Sequence, residues 1–176
     1  HSDLLLGSVS ARDKQAYDKL GPIYQQLGLA VSPDDCSLAL RGLQTLAVRL
    51  EVLERNTLEI ANWLADHPLV AQVLHPALPT CPGHAVWARD FSGSTSVFSF
   101  IFKETIAADR VVEFINQLQI FKIGMSWGGV NSLAVVYPDL QRPHHDYGGR
   151  IVRLNIGLEK VEDLTGDLAQ AMATLS

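Results

Sequence analysis

The longest regular pattern in the chain opens at Ser32-Pro33-Asp34-Asp35. A hydroxyl placed to cap, a proline at the first helical position and two acids in the first turn together mark a helix start. From there Cys36, Leu40, Leu43, Ala47, Leu50 and Leu53 recur at helical spacing, and Ile60 and Leu64 carry the stripe towards His67-Pro68. A continuous helix of that span is about 45–50 Å long. That exceeds what one compact domain needs, so the pattern predicts a strut joining two domains, kinked near Gly42 or Asn56. A coiled coil is the competing reading, but charges at the flanking positions are sparse for it. Cys36, on the apolar stripe, reads as a small buried thiol.

Before the strut, residues 3–9 form a short apolar run that reads as a strand. Ser10 is placed to cap a helix from about Ala11, which Gly21-Pro22 interrupts or bends and Gly28 ends. After the strut the periodicity changes. Residues 69–75 are a strand candidate, followed by the turn-rich stretch 76–83. Thr95 to Lys103 alternates with Phe98, Phe100 and Phe102 on one face. Val111, Phe114, Ile115 and Leu118 make 106–118 an amphipathic helix, and Leu133 to Tyr137 is a short strand stopped by Pro138. A polar loop spans 138–149, a strand follows at 151–156, and Val161, Leu164, Leu168, Ala171 and Leu175 line a last helix. Alternating helices and strands with few tight hairpins predict a layered α/β sandwich, helices against one sheet.

The remaining constraints are mostly exclusions. A net charge of -5 over 176 residues gives no reason to expect a nucleic acid as partner. No apolar run approaches the roughly 20 residues of a membrane-spanning helix, so no membrane partner is expected. Two cysteines, Cys36 and Cys81, are too few for a disulfide framework, which makes a reducing cytoplasm the expected compartment. The start at His1-Ser2-Asp3, without an initiating Met, reads as a cut inside a longer protein.

Chemistry is concentrated near the C-terminal end. Ser126-Trp127-Gly128-Gly129 is a turn whose glycines admit close backbone approach and whose N–H groups suit an anion. In Ile151-Val152-Arg153-Leu154-Asn155-Ile156, alternation sets Val152, Leu154 and Ile156 on one face and Arg153 beside Ile151 and Asn155 on the other. A guanidinium fixed on a strand suits bidentate capture of a carboxylate. Each residue also has a plain structural reading: Arg153 as a surface or salt-bridged side chain, Ser126 as a turn-stabilising hydroxyl, Trp127 as a wall. Adjacent histidines in His144-His145-Asp146 point opposite ways on a strand and have no second ligand cluster, so a solvated loop is expected and no metal site is assigned.

Several segments taken in order resemble the Cys/Met-metabolism family of pyridoxal-phosphate enzymes over nearly the whole chain. These are His1-Ser2-Asp3-Leu4-Leu5-Leu6-Gly7, Arg41-Gly42-Leu43-Gln44-Thr45-Leu46, His75-Pro76-Ala77-Leu78-Pro79, Gly83-His84, Arg89-Asp90-Phe91-Ser92-Gly93, Ser126-Trp127-Gly128-Gly129 and Arg153-Leu154-Asn155-Ile156-Gly157-Leu158-Glu159. Departures are Asn131 where relatives usually carry Glu, Gln44 where a base is common, and Met125 where an aromatic residue is expected. The tryptophan after Ser126 points to the β-lyase branch. The resemblance implies the C-terminal portion of the fold-type I, transferase-like architecture: the end of a large cofactor-binding domain over 1–42, a connecting helix, and a small α/β domain with a mainly antiparallel sheet over 43–176.

It also implies a carbon–sulfur lyase of methionine biosynthesis that eliminates at Cβ of cystathionine, giving homocysteine, pyruvate and ammonia. Arg153 would bind the substrate α-carboxylate, with Ser126 and Trp127 assisting. Pyridoxal 5'-phosphate would be held mainly by an N-terminal portion whose Schiff-base lysine lies five residues before His1, so no residue here is assigned to cofactor or catalysis and the chain alone is expected to be inactive. The implied partners are that N-terminal portion, an amino-acid substrate and further copies in a homotetramer. Related γ-synthases, γ-lyases or sulfhydrylases, and a non-catalytic assembly module, are the alternatives.

Overall fold

The computed structural model describes residues 1–143 and 145–175. Its elements, in chain order, are α1 (Lys14–Gln26), α2 (Pro33–Leu43), α3 (Leu46–Ala65), β1 (Val70–Leu74), α4 (His84–Asp90), β2 (Val97–Phe102) and α5 (Ala108–Gln117). They continue with β3 (Lys122–Ile123), β4 (Leu133–Val136), β5 (Gln141–Arg142), β6 (His145–Asp146), β7 (Ile151–Asn155) and α6 (Val161–Ala173). Two compact units emerge, Asp3–Ala47 and Val48–Ser176, with Ser2 grouping with the second.

In the first unit the helix starts follow capping chemistry. Ser32 Oγ accepts from Asp35 N at 3.0 Å, with Pro33 just inside the helix and Asp34 and Asp35 in its first turn. α1 starts later than Ser10 suggests, because Asp13 is the stronger cap: its carboxylate accepts from Ala16 N at 2.8 Å. That bond and the Arg12 guanidinium hold the Asp13 carboxyl below the usual range. Pro22 lies inside α1, and Gly28, at φ +62°, ends the segment in the left-handed conformation. Residues 3–9 are not a strand, since no neighbouring strand satisfies their backbone.

The strut is two helices, not one. α2 ends at Leu43, Thr45 N donates to Gly42 O at 3.3 Å, and α3 begins at Leu46. The break falls near Gly42, while α3 runs without interruption through Asn56; its 20 residues span about 30 Å. The apolar stripe changes from exposed to buried later, between Leu50 and Leu53. Leu53, Ile60 and Leu64 are buried, whereas Leu40 and Leu43 are 66% and 63% exposed. Cys36 is exposed as well, contrary to the buried thiol expected of it. Neither α1 nor α2 has a buried residue, because two short helices cannot enclose each other's apolar faces.

The second unit is a five-stranded sheet of order β1-β2-β7-β4-β3, antiparallel throughout except for the parallel β3–β4 edge. Phe98, Phe100 and Phe102 alternate onto one face, and the rings of Phe100, Phe102 and Phe114 of α5 meet edge-on with centroids 5.0–6.3 Å apart. Ile60 and Leu64 of α3 and Leu164, Leu168 and Ala171 of α6 complete that core with Val152, Leu154 and Ile156. Gly166 is tolerated because it faces outward. Three details escape pattern reading: α4, the two-residue β3, and the β5–β6 hairpin inside the polar loop. His144 of that loop lies outside the described residues.

Two buried polar groups tie loops to this core. Asp167 of α6 accepts backbone N–H bonds from Gln119, Ile120 and Phe121 at 2.8, 2.8 and 3.0 Å, fixing the approach to β3. His75, fully buried after β1, accepts from Ala77 N through Nδ1 at 3.2 Å and sits edge-on to Phe98. That bond requires an unprotonated Nδ1. Burial accordingly holds the imidazole below its ordinary 6.5, against an opposing pull from the Glu54 carboxylate.

Asp167→Ala strands three backbone donors and should destabilise the protein by about 3 kcal/mol in urea unfolding; a shift of a few tenths would mean that solvent satisfies them. Because the folded-state value of His75 is depressed, the unfolded chain binds the proton first. Stability should therefore fall as pH drops below the ordinary histidine value until the folded site also protonates. His75→Gln should flatten that part of the stability–pH curve, and an unaltered slope would assign it to other groups.

Candidate functional site: the Arg153 corner

β7 carries Arg153 to the sheet face opposite the phenylalanine core, in register with Ser99 of β2 and Val135 of β4. One of its five N–H groups is committed: Nη2 donates to the Met125 carbonyl at 2.5 Å. The guanidinium carbon lies 5.9 Å from the Trp127 ring centroid and 5.9 Å from that of Tyr137, within cation–π range of both. Among the described residues no carboxylate forms an ion pair with it. A half-buried guanidinium with oriented donors and no carboxylate partner among the described residues is chemically suited to an anion.

Arg153 and Trp127 are thus brought together. Ser126 is exposed, with its hydroxyl 3.0 Å from that of Ser2. Gly128 has a conformational role of its own in this turn. Gly128 adopts φ +75°, a Cβ there would meet nothing within 4 Å, and its N–H is already given to Asn155 Oδ1 at 3.1 Å. Position 128 requires left-handed backbone, which glycine adopts without strain.

The turn is locked from behind. Buried Asn155 accepts from Ser96 Oγ and Gly128 N through Oδ1, and its Nδ2 donates to Asn131 O at 3.3 Å. Glu159 takes both donors of Ser132, N–H and Oγ, at 2.8 Å each, and Ser132 Oγ in turn accepts from Gly157 N at 2.8 Å. Leu158 N donates to Val130 O at 2.9 Å. The segment 155–159 therefore grips the turn through side chains and backbone together.

Pattern reading missed Tyr137, whose proximity to Arg153 depends on the β4–β7 register, and the tethering work of Asn155 and Glu159. An Asn inside an apolar strand was the available signal, since strands rarely carry one without a partner for its amide. The five lysines, Lys14, Lys19, Lys103, Lys122 and Lys160, are all exposed.

Gly157 is the tightest point of the lock: a Cβ would come within 2.4 Å of Val130 O and 2.7 Å of Asn131 C. Gly157→Ala should cost about 1–3 kcal/mol in urea unfolding. An unchanged midpoint would show that the turn gives way freely.

Comparison with known proteins adds a lineage to this geometry. The family model described as "Cys/Met metabolism PLP-dependent enzyme" matches residues 1–173. A protein from Bordetella avium named cystathionine beta-lyase is 43% identical over 98% of this chain and 44% of its own length. Cystathionine beta-lyase MetC of Escherichia coli K12 is 36% identical over 99% of this chain and 46% of its own. A solved cystathionine gamma synthase from Xanthomonas oryzae pv. oryzae superposes with a TM-score of 0.80 at 36% identity, covering 94% of this chain and 45% of that one. The chain thus spans less than half the length of these relatives. Its α/β architecture with a mainly antiparallel sheet is that of the C-terminal portion of fold-type I pyridoxal-phosphate enzymes. By sequence and by fold, the chain belongs to the Cys/Met-metabolism family of PLP-dependent enzymes.

Proposed function

We propose that this chain is the substrate-anchoring portion of a PLP-dependent carbon–sulfur lyase that cleaves cystathionine by β-elimination. The observation that carries the reading is Arg153, a guanidinium with no carboxylate ion pair among the described residues, oriented by Met125 O and flanked by Trp127 and Tyr137. The β-lyase names of the Bordetella and Escherichia relatives support it. Arg153 binds the α-carboxylate of the amino acid. The Ser126 hydroxyl and the Trp127 backbone bound the same corner. Holding the carboxylate sets the orientation of the bonds at Cα, which decides the bond that breaks. When bound, the cofactor supplies the electron sink for the charge left at Cα. The overall conversion takes cystathionine and water to homocysteine, pyruvate and ammonia.

In this reading residues 1–42 close a large cofactor-binding domain, 43–176 form the small domain, and the Schiff-base lysine belongs to polypeptide ahead of His1. The chain alone is then inactive. The bare apolar faces of α1 and α2, with Leu20, Ile23, Leu27, Leu40 and Leu43 exposed, support a partner: the N-terminal portion of the parent or another subunit of a homotetramer. In the same reading the enzyme serves methionine biosynthesis in the cytoplasm, a setting with which the two unpaired cysteines agree. The γ-synthase likeness favours a second reading, a transferase that forms the carbon–sulfur bond.

Incubating the intact enzyme with cystathionine separates the two: pyruvate release is expected, and its absence alongside bond formation from an activated homoserine would replace the lyase by the synthase. In the same enzyme Arg153→Ala should raise KM about 10- to 100-fold, the worth of a charge-assisted hydrogen-bonded pair. An unchanged KM would remove Arg153 from the carboxylate.

A further inference from the structure

Arg153 meets two aromatic rings, and only one of them belongs to the glycine-rich turn. Trp127 lies in that turn; Tyr137 lies just past β4, on the parity of Val135, which pairs with Arg153 across the sheet. Both ring centroids are 5.9 Å from the guanidinium carbon. The two rings differ in exposure and in anchoring. Trp127 is 64% exposed in a loop, whereas Tyr137 is half-buried and directly continues a strand paired to β7. A guanidinium is planar and delocalised, so an aromatic face restrains its plane as well as attracting its charge. A bond to Met125 O alone would leave the side chain free to swing about that contact.

We propose that Tyr137 is a positioning residue: its ring holds the Arg153 guanidinium in the plane at which its unused N–H edge meets a ligand carboxylate. This rests on the reading of Arg153 as the carboxylate anchor. Tyr137 does not touch the ligand and acts through Arg153. The ring face is the working part and the hydroxyl is dispensable.

The test is steady-state kinetics on the intact enzyme with cystathionine. Tyr137→Ala should raise KM about two- to five-fold, the size of a cation–π contact at a partly exposed site, with kcat nearly unchanged. Tyr137→Phe, which keeps the face, should restore KM to within a factor of about two of the parent. Tyr137→Leu, which keeps bulk without a π face, should behave as Tyr137→Ala and serves if the alanine variant fails to fold. In an Arg153→Met background neither loss of the ring should change kcat/KM further.

An unchanged KM in Tyr137→Leu overturns the proposal. So does an equal effect in both backgrounds, which would make Tyr137 a general support of β4, and so does a failure of Tyr137→Phe to rescue. The failure of the anchor reading looks different: Arg153→Met would then itself leave KM where it was.

Discussion

Asn155 joins three places that the chain visits far apart: the entry to β2 at Ser96, the turn at Gly128, and the exit from that turn at Asn131. Its amide is buried, so each of these bonds is made away from competing water, and the alternative to making them is a stranded polar group. A turn with adjacent glycines has more backbone freedom to lose than most. The Asn155 amide, with Glu159 gripping both donors of Ser132, supplies the fixed contacts that offset that loss. Arg153 sits two residues before Asn155 on the same strand. The tether that holds the turn therefore also sets the distance between the guanidinium and Trp127.

The consequence is a corner rigid behind and open in front. Behind it, Ser132, Asn155 and Gly157 are buried, and no atom can be added at Gly157 without displacing the turn. In front, Met125, Trp127 and Val130 expose apolar surface around a guanidinium with no carboxylate partner among the described residues. A small anion with an apolar body matches both halves of that description. An amino acid is such a molecule, which is why this geometry supports the anchoring role proposed for Arg153 more directly than it supports any particular bond cleavage.

The opposite face of the sheet shows how little freedom the core leaves. Phe100, Phe102 and Phe114 interlock edge-on, and Val152, Leu154 and Ile156 belong to the same buried cluster. Since side chains on a strand alternate strictly, burying Val152 and Leu154 compels Arg153 to the other side. Asp167 adds a constraint from the helix layer, because its three backbone bonds set where the segment leading to β3 and Met125 begins. Met125 then presents its carbonyl to Arg153 while its side chain stays exposed.

Much of this was legible in the residues themselves. Alternation at 97–102 and 151–155, the cap at Ser32, the amphipathic spacing of α5 and α6 and the stop at Pro138 are local consequences of period, capping and proline chemistry, which need no tertiary context. The ordered motifs, from Arg41-Gly42 to Glu159, likewise carry family membership in sequence alone. Other features had no local cause. Whether the Cys36–Leu43 stripe is covered depends on what packs against it, so spacing foretold an apolar face but not its burial. The break after Leu43 had competing sites at Gly42 and Asn56 that spacing could not rank. Tyr137 reaches Arg153 only because β4 and β7 pair in one register. Gly128 gives its N–H to a side chain 27 residues away. Periodicity decides which side of an element is apolar; only the packed chain decides which neighbour each polar group finds, because that choice is made across separations the local sequence does not encode.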